Sequence, residues 1–220
     1  MMARPKFHKT IGFFGDSFCA STDNNSWTEL LANKLNATIV NRGKNGSSIW
    51  TAILDFDKCR NSNSIPDVNI FCWTNPQRLY HPTKPANMGT MLKEKSSLAD
   101  AVRKYYAYLY FKDKEILNYK FTLEYFENFI LKNIKDKKIY QIFSLNPKDC
   151  NTPSLEVDLN YNFINEFSLL QFSEYPSEYT REHHIDNNWN SKILFNHMSI
   201  DKNQQLADYF FQKITTSKYN

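Results

Sequence analysis

The feature that most constrains this chain is the alternation of short apolar runs and helical stripes in its first third. Ile11 to Phe14 is an apolar run that stops at Gly15, and it predicts a buried strand. Ser26 follows as an N-cap, with Glu29 three residues on in the spacing of a capping box. Trp27, Leu30, Leu31 and Leu35 give the apolar stripe of a helix to about Leu35. Ala37 to Val40 predicts a second strand, closed by Asn41-Arg42-Gly43, and Ser48 to Lys58 predicts a second helix. Pro66-Asp67 breaks the chain before a third strand, Val68 to Trp73. Strand, helix, strand, helix, strand in this order argues for parallel βαβ units. Helices then cover both faces of the sheet, which is an α/β fold.

Beyond the third strand the pattern is looser. Gln77 to Thr90 is loop-like, with Pro82, Pro85 and Gly89. Leu98 to Phe111 and Ile116 to Ile134 read as helices, and Lys138 to Leu145 as a fourth strand. Asn146 to Asn190 is irregular, polar and aromatic, and receives no assigned structure. The closing helix runs from about Lys202 to Ile214, with Leu206, Ala207, Phe210 and Phe211 inward. The 220 residues read as one domain, 1–220, long enough to bury a core.

Charge and cysteine usage narrow the function class. The net charge of +4 is scattered, apart from Lys132 to Lys138. That cluster ends a predicted helix, where lysines complement the helix dipole, so it reads as a solvated helix end rather than a nucleic-acid surface. Cys19, Cys59, Cys72 and Cys150 form no C-x-x-C pair, which leaves zinc-ribbon and thioredoxin-type sites unsupported; Cys72, in an apolar run, reads as a core thiol. Met1 to Thr10 is basic without the apolar stretch of a signal peptide, and no later run is long enough to span a membrane. The expectation is a cytoplasmic, reducing location with neither membrane nor nucleic acid as partner.

Four segments carry candidate chemistry. Three follow predicted strands, and in an open parallel sheet ligands bind beyond the carboxyl ends of the strands. Gly15-Asp16-Ser17 puts a serine at a strand-to-helix turn, beside backbone N–H groups that favour negative charge. Taken alone it is equally a turn, since all three residue types favour turns. The G-x-S-x-G elbow is absent, because position 19 is Cys. Asn41-Arg42-Gly43-Lys44-Asn45-Gly46-Ser47-Ser48 has two glycines that permit a sharp turn and a close backbone approach to a ligand, or it is a plain loop into a helix capped by Ser47 or Ser48. Trp73-Thr74-Asn75-Pro76 offers an Asn amide to an oxyanion, or simply starts a turn. Asn196-His197-Met198-Ser199 places a histidine just before the last helix, as a base for Ser17 or simply as a polar surface residue of a loop.

Together these segments resemble the GDSL/SGNH hydrolase family. Gly15-Asp16-Ser17 resembles its first block, Asn41-x-Gly43-x-x-Gly46 its second, Pro66-Asp67 with the strand and Asn75 its third, and His197-Met198-Ser199 its last. The match spans nearly the whole chain in the expected order. The resemblance implies a three-layer α/β/α, flavodoxin-like parallel sheet and hydrolysis of a short acyl or O-acetyl ester on a small molecule or glycan, without metal or cofactor. It implies Ser17 as nucleophile, His197 as base, and an oxyanion hole made by the Ser17 and Gly46 amides and the Asn75 side chain.

The chain also departs from that pattern. The Asp expected three residues before the histidine is Leu194, and the Gly-x-Asn-Asp of the third block is Trp73-Thr74-Asn75-Pro76. Three readings stay open, in this order: a backbone carbonyl orients His197 in a dyad, Asp186 supplies the carboxylate, or the site is degenerate. Segments of about 77–112 and 146–190 read as insertions. Within the first, Arg78 could meet an anionic substrate group, or be a surface arginine. His183, His184 and Asp186 make too thin a set for a metal site. A glycan- or protein-binding module and an O-acyltransferase on the same fold remain open beside the esterase, as does the oligomeric state.

Overall fold

The computed structural model describes residues 9–84, 86, 91, 94–134, 136–145, 162–164, 166–173 and 198–216. Five parallel strands form one sheet: β1 (Lys9–Gly15), β2 (Ala37–Asn41), β3 (Val68–Trp73), β4 (Lys138–Phe143) and β5 (Phe163–Ile164). Their spatial order is β2-β1-β3-β4-β5, the flavodoxin-like order. The helices are α1 (Trp27–Leu35), α2 (Ile49–Asn61), α3 (Ser97–Tyr108), α4 (Lys112–Tyr125), the one-turn α5 (Leu169–Phe172) and α6 (Ile200–Thr216).

Alternation along each strand splits the core in two, because successive side chains leave a strand on opposite faces. Ile11 and Phe13 of β1 and Val68, Ile70 and Cys72 of β3 pack under α1 and α6, against Trp27, Leu31, Leu206 and Phe210. Phe14, Phe71 and Trp73 point the other way, onto Ile49 and Phe56 of α2 and Tyr119 and Leu123 of α4. The result is the three-layer α/β/α sandwich. Every residue of β3 is buried, which explains why it reads in sequence as an unbroken apolar run rather than an alternating one. The stacked rings of Trp27 and Phe210, 5.3 Å apart, lock α1 to α6.

Several details differ from the sequence reading. The expected capping box at Ser26 does not form: Ser26 Oγ instead donates to the Asp23 carbonyl at 2.7 Å. The orphan Trp27 amide is satisfied by Asn203 Oδ1 of α6 at 2.8 Å, and Glu29 pairs with Arg42. The helix from Lys112 widens into a π turn at Phe126–Ile130 and tightens into a 3-10 turn at Leu131–Asn133, so it is not α-helical to Ile134. β5 and α5 lie in the stretch that received no assignment. Two residues of strand carry no periodicity, but Ser168 and Gln171 do form a capping box, a legible signal at α5. Among the described residues no helix is long and apolar enough to cross a membrane.

Candidate active site

The register aligns the carboxyl ends of the central strands. Gly15 is level with Cys72, and Trp73 with Phe143. β1 and β3 are neighbours although the chain visits β2 between them, so the crevice beyond their ends is the topological switch point.

Asp16 leaves β1 and begins a single 3-10 turn, Ser17–Cys19. Its carboxylate is fully buried and takes four donors. Oδ1 accepts from the Phe18 amide at 3.1 Å and from Ser144 Oγ at 2.9 Å. Oδ2 accepts from Thr74 Oγ1 at 2.7 Å and from Arg78 Nη1 at 3.2 Å. A charge this deep is tolerable only when paired and hydrogen-bonded, and here the partners come from the exits of β1, β3 and β4. Ser17, first residue of the turn, is partly exposed at this junction.

The loop after β2 is fastened to the same point. The Lys44 amide and Ser47 Oγ both donate to the Gly15 carbonyl, each at 2.9 Å, and the Gly43 amide donates to the Cys19 carbonyl at 3.0 Å. A Cβ on Gly43 would stand 2.5 Å from the Asp16 carbonyl oxygen and from Cys19 Sγ, so only glycine allows this approach. The close backbone approach expected toward a ligand is made at Gly43 to the turn bearing Ser17 instead. Gly46 has a φ of 69°, a left-handed conformation that glycine adopts without strain, three residues before α2 begins.

After β3, Asn75 Oδ1 accepts from the Gln77 amide at 2.7 Å, and the Arg78 amide donates to the Asn75 carbonyl at 3.2 Å. Asn75 thus starts a turn, and that turn fixes its carboxamide with Nδ2 as the end opposite Gln77. Tyr119 donates to the Thr74 carbonyl at 2.8 Å, and Tyr106 donates to the Gln77 carbonyl. Burial, with Tyr110 nearby, pushes the Tyr106 phenol up to about 12, so it stays protonated and donating. Arg78, expected as a contact for a substrate anion, meets an internal one: Nη1 bridges Asp16 and, at 3.3 Å, the Ser47 carbonyl.

The last segment is tied in through α1. Met198 is buried, and Ser199 Oγ accepts from the Lys202 amide at 3.2 Å, capping α6. Asn203 Nδ2 donates to the Met198 carbonyl at 3.1 Å while its Oδ1 holds the Trp27 amide, and the Trp27 indole donates to the Phe18 carbonyl at 2.7 Å.

The structure therefore brings the segments carrying Ser17, Gly46, Asn75 and Arg78 to one strand-end cluster. His197, Asp186, His183 and His184 lie outside the described residues. Among the described residues there is no group of three or more His, Cys, Asp or Glu able to hold a metal ion. Asp16, Thr74 and Ser144 were not singled out by sequence. For Asp16 the signal existed: an acid directly following a buried strand must find partners. Cys72 is a core thiol as expected, and burial, then the neighbouring Cys19, pushes it well above its ordinary value.

Fold and site together define a three-layer α/β protein with a polar, serine-bearing cluster at the strand ends of its switch point. No protein-family model and no curated protein sequence matches the chain.

Proposed function

We propose that this chain is a serine hydrolase of the GDSL/SGNH type that cleaves a short acyl or O-acetyl ester. Ser17 attacks the ester carbonyl, His197 takes its proton, and the oxyanion is held by the Ser17 and Gly46 amides and Asn75 Nδ2. The alcohol leaves with the proton returned by His197, and water then releases the acyl group by the same route.

One observation carries this reading. Three loops from separate strands are fastened to the end of β1: Lys44 and Ser47 on the Gly15 carbonyl, and Thr74 with Arg78, and Ser144, on the Asp16 carboxylate. Such fastening supports a nucleophile and oxyanion donors held in place before substrate arrives, the condition under which fixed dipoles lower a barrier most. The hydrogen bonds from Phe18 through Trp27 and Asn203 to Met198 support His197 as the base, because they link the neighbours of both residues.

The test is covalent labelling of Ser17 with a fluorophosphonate probe, beside turnover of aryl acetates. Labelling is expected in the native chain and absent in Ser17→Ala, with turnover reduced by roughly 10⁴-fold or more. An unlabelled native protein, or a Ser17→Ala variant that keeps its turnover, overturns the reading. A native protein that is labelled but makes ester only when an acceptor alcohol is added is a transferase on the same nucleophile.

A further inference from the structure

Beside the Gly43–Ser47 loop, between α2 and the loop after β3, lies a cleft of about 340 Å³. Its size falls at the lower end of small-molecule sites, which run from about 300 to 1,000 Å³. Ser47, which binds the end of β1, is part of its wall, so the cleft abuts the candidate oxyanion loop.

Its lining is cationic in a specific way. Asp55 of α2 is buried and receives two ammonium groups at once, Lys44 on one oxygen and Lys58 on the other, the latter at 3.1 Å. One carboxylate thus orders two exposed lysines and leaves the group with a net positive charge. The hydrogen bond to Asp55, and then its charge, raise Lys58 above its ordinary value, so its ammonium stays charged in neutral solution. Across the cleft stand Tyr80, His81 and Lys84. His81 Nδ1 accepts from the Thr83 and Lys84 amides at 3.3 and 3.2 Å, which assigns the ring proton to Nε2 and makes that atom a donor. Lys84 lies 3.6 Å from Glu94, a loose pair that leaves its charge exposed. Tyr80 presents an exposed ring, a flat surface of the kind on which a pyranose stacks.

We infer that this cleft is a subsite for a sugar bearing an anionic substituent, a carboxylate or a phosphate, which is the alcohol part of the ester. The ring lies against Tyr80, and the anion is held by Lys58, Lys84 and the His81 Nε2 proton. The ester role rests on the Ser17 reading; the recognition of an anionic sugar does not.

Binding is therefore measured on the Ser17→Ala protein, by calorimetry, with glucuronate, glucose 6-phosphate and glucose. Both charged sugars are expected to bind about tenfold more tightly than glucose, and to lose that margin in Lys58→Gln, in Lys84→Gln and in high salt. Tighter binding of one charged sugar identifies carboxylate or phosphate as the natural substituent. Equal binding of glucose, no measurable binding of any of the three, or affinities that ignore both substitutions overturn the inference. Native protein that binds glucuronate but hydrolyses no ester retains the subsite and removes the Ser17 reading. Native protein that hydrolyses acetylated glucose and acetylated glucuronate equally well, without charged-sugar binding, does the reverse.

Discussion

The Trp27 amide donates to Asn203 Oδ1 across 2.8 Å, although 176 positions separate the two residues. Through it the first helix borrows its cap from the last. The same asparagine donates to the carbonyls of Met198 and Ser199, at 3.1 and 3.0 Å. One buried side chain thus joins the entrance of α1 to the entrance of α6.

Replacing that side chain tests the joint. Asn203→Leu strands the Trp27 amide and the Met198 carbonyl, and is expected to cost about 3 kcal/mol in urea denaturation. Asn203→Asp keeps the acceptor but faces the Met198 and Ser199 carbonyls with a charge, so it too falls below the native protein. Ester turnover is expected to drop in both at temperatures where they remain folded.

Asp16 is the second test. Asp16→Ala removes the acceptor shared by Phe18, Ser144, Thr74 and Arg78, and is expected to destabilise by about 3–5 kcal/mol, the cost of breaking a buried ion pair. Asp16→Ala combined with Arg78→Gln is expected to cost less than the sum of the two, because the stranded guanidinium is removed as well. Additive losses in a double-mutant cycle would show that the pair is not coupled.

Gly43→Ala places a methyl against the Asp16 carbonyl and Cys19 Sγ, where nothing can yield cheaply. The loop must lift from β1, carrying Gly46 with it. A loss of about 2 kcal/mol is expected, with turnover falling further than stability accounts for. Thermal unfolding and kcat/KM of the same preparation separate the two effects.

The acid dependence of stability has an identified contributor in Asp67. Its partial burial acts to raise the carboxyl, but the Lys137 ammonium at 2.8 Å and the Thr10 amide and hydroxyl outweigh it and hold it below its ordinary value. A depressed carboxyl stabilises the fold above the unfolded-state value of about 3.9 and loses that stabilisation as pH falls through the lower folded value. Native protein and Asp67→Asn are expected to differ at pH 6 and to converge as the pH falls through the lowered folded-state value of Asp67, as followed by urea midpoints. A constant gap across that range would assign the stabilisation to packing.

How much of this was legible follows from where each constraint sits in the chain. β1 and β3 were legible because strands buried on both faces must be apolar throughout, and Ile11 to Phe14 and Val68 to Trp73 are nearly so. The stripe of α1 was legible, but its cap was not, since Asn203 is no local neighbour of Trp27. Ser17, Gly46 and Asn75 were legible as segments because each turn has its own residue chemistry. The Asp16 cluster was not, because Thr74, Arg78 and Ser144 meet it only after three strands have aligned. The same holds for Arg78: a loop arginine carries no mark of whether its anion is internal or bound.

The four donors on Asp16 also set how this end of the molecule opens. Each comes from a chain segment that would otherwise fray alone, and releasing one leaves the same carboxylate short of a partner. The exits of β1, β3 and β4 therefore open together or not at all, as one cooperative unit in native-state hydrogen exchange. The amides of Phe18 and Ser144, the latter bonded to the Trp73 carbonyl at 2.8 Å, are expected to exchange through the same opening across a separation of more than half the chain.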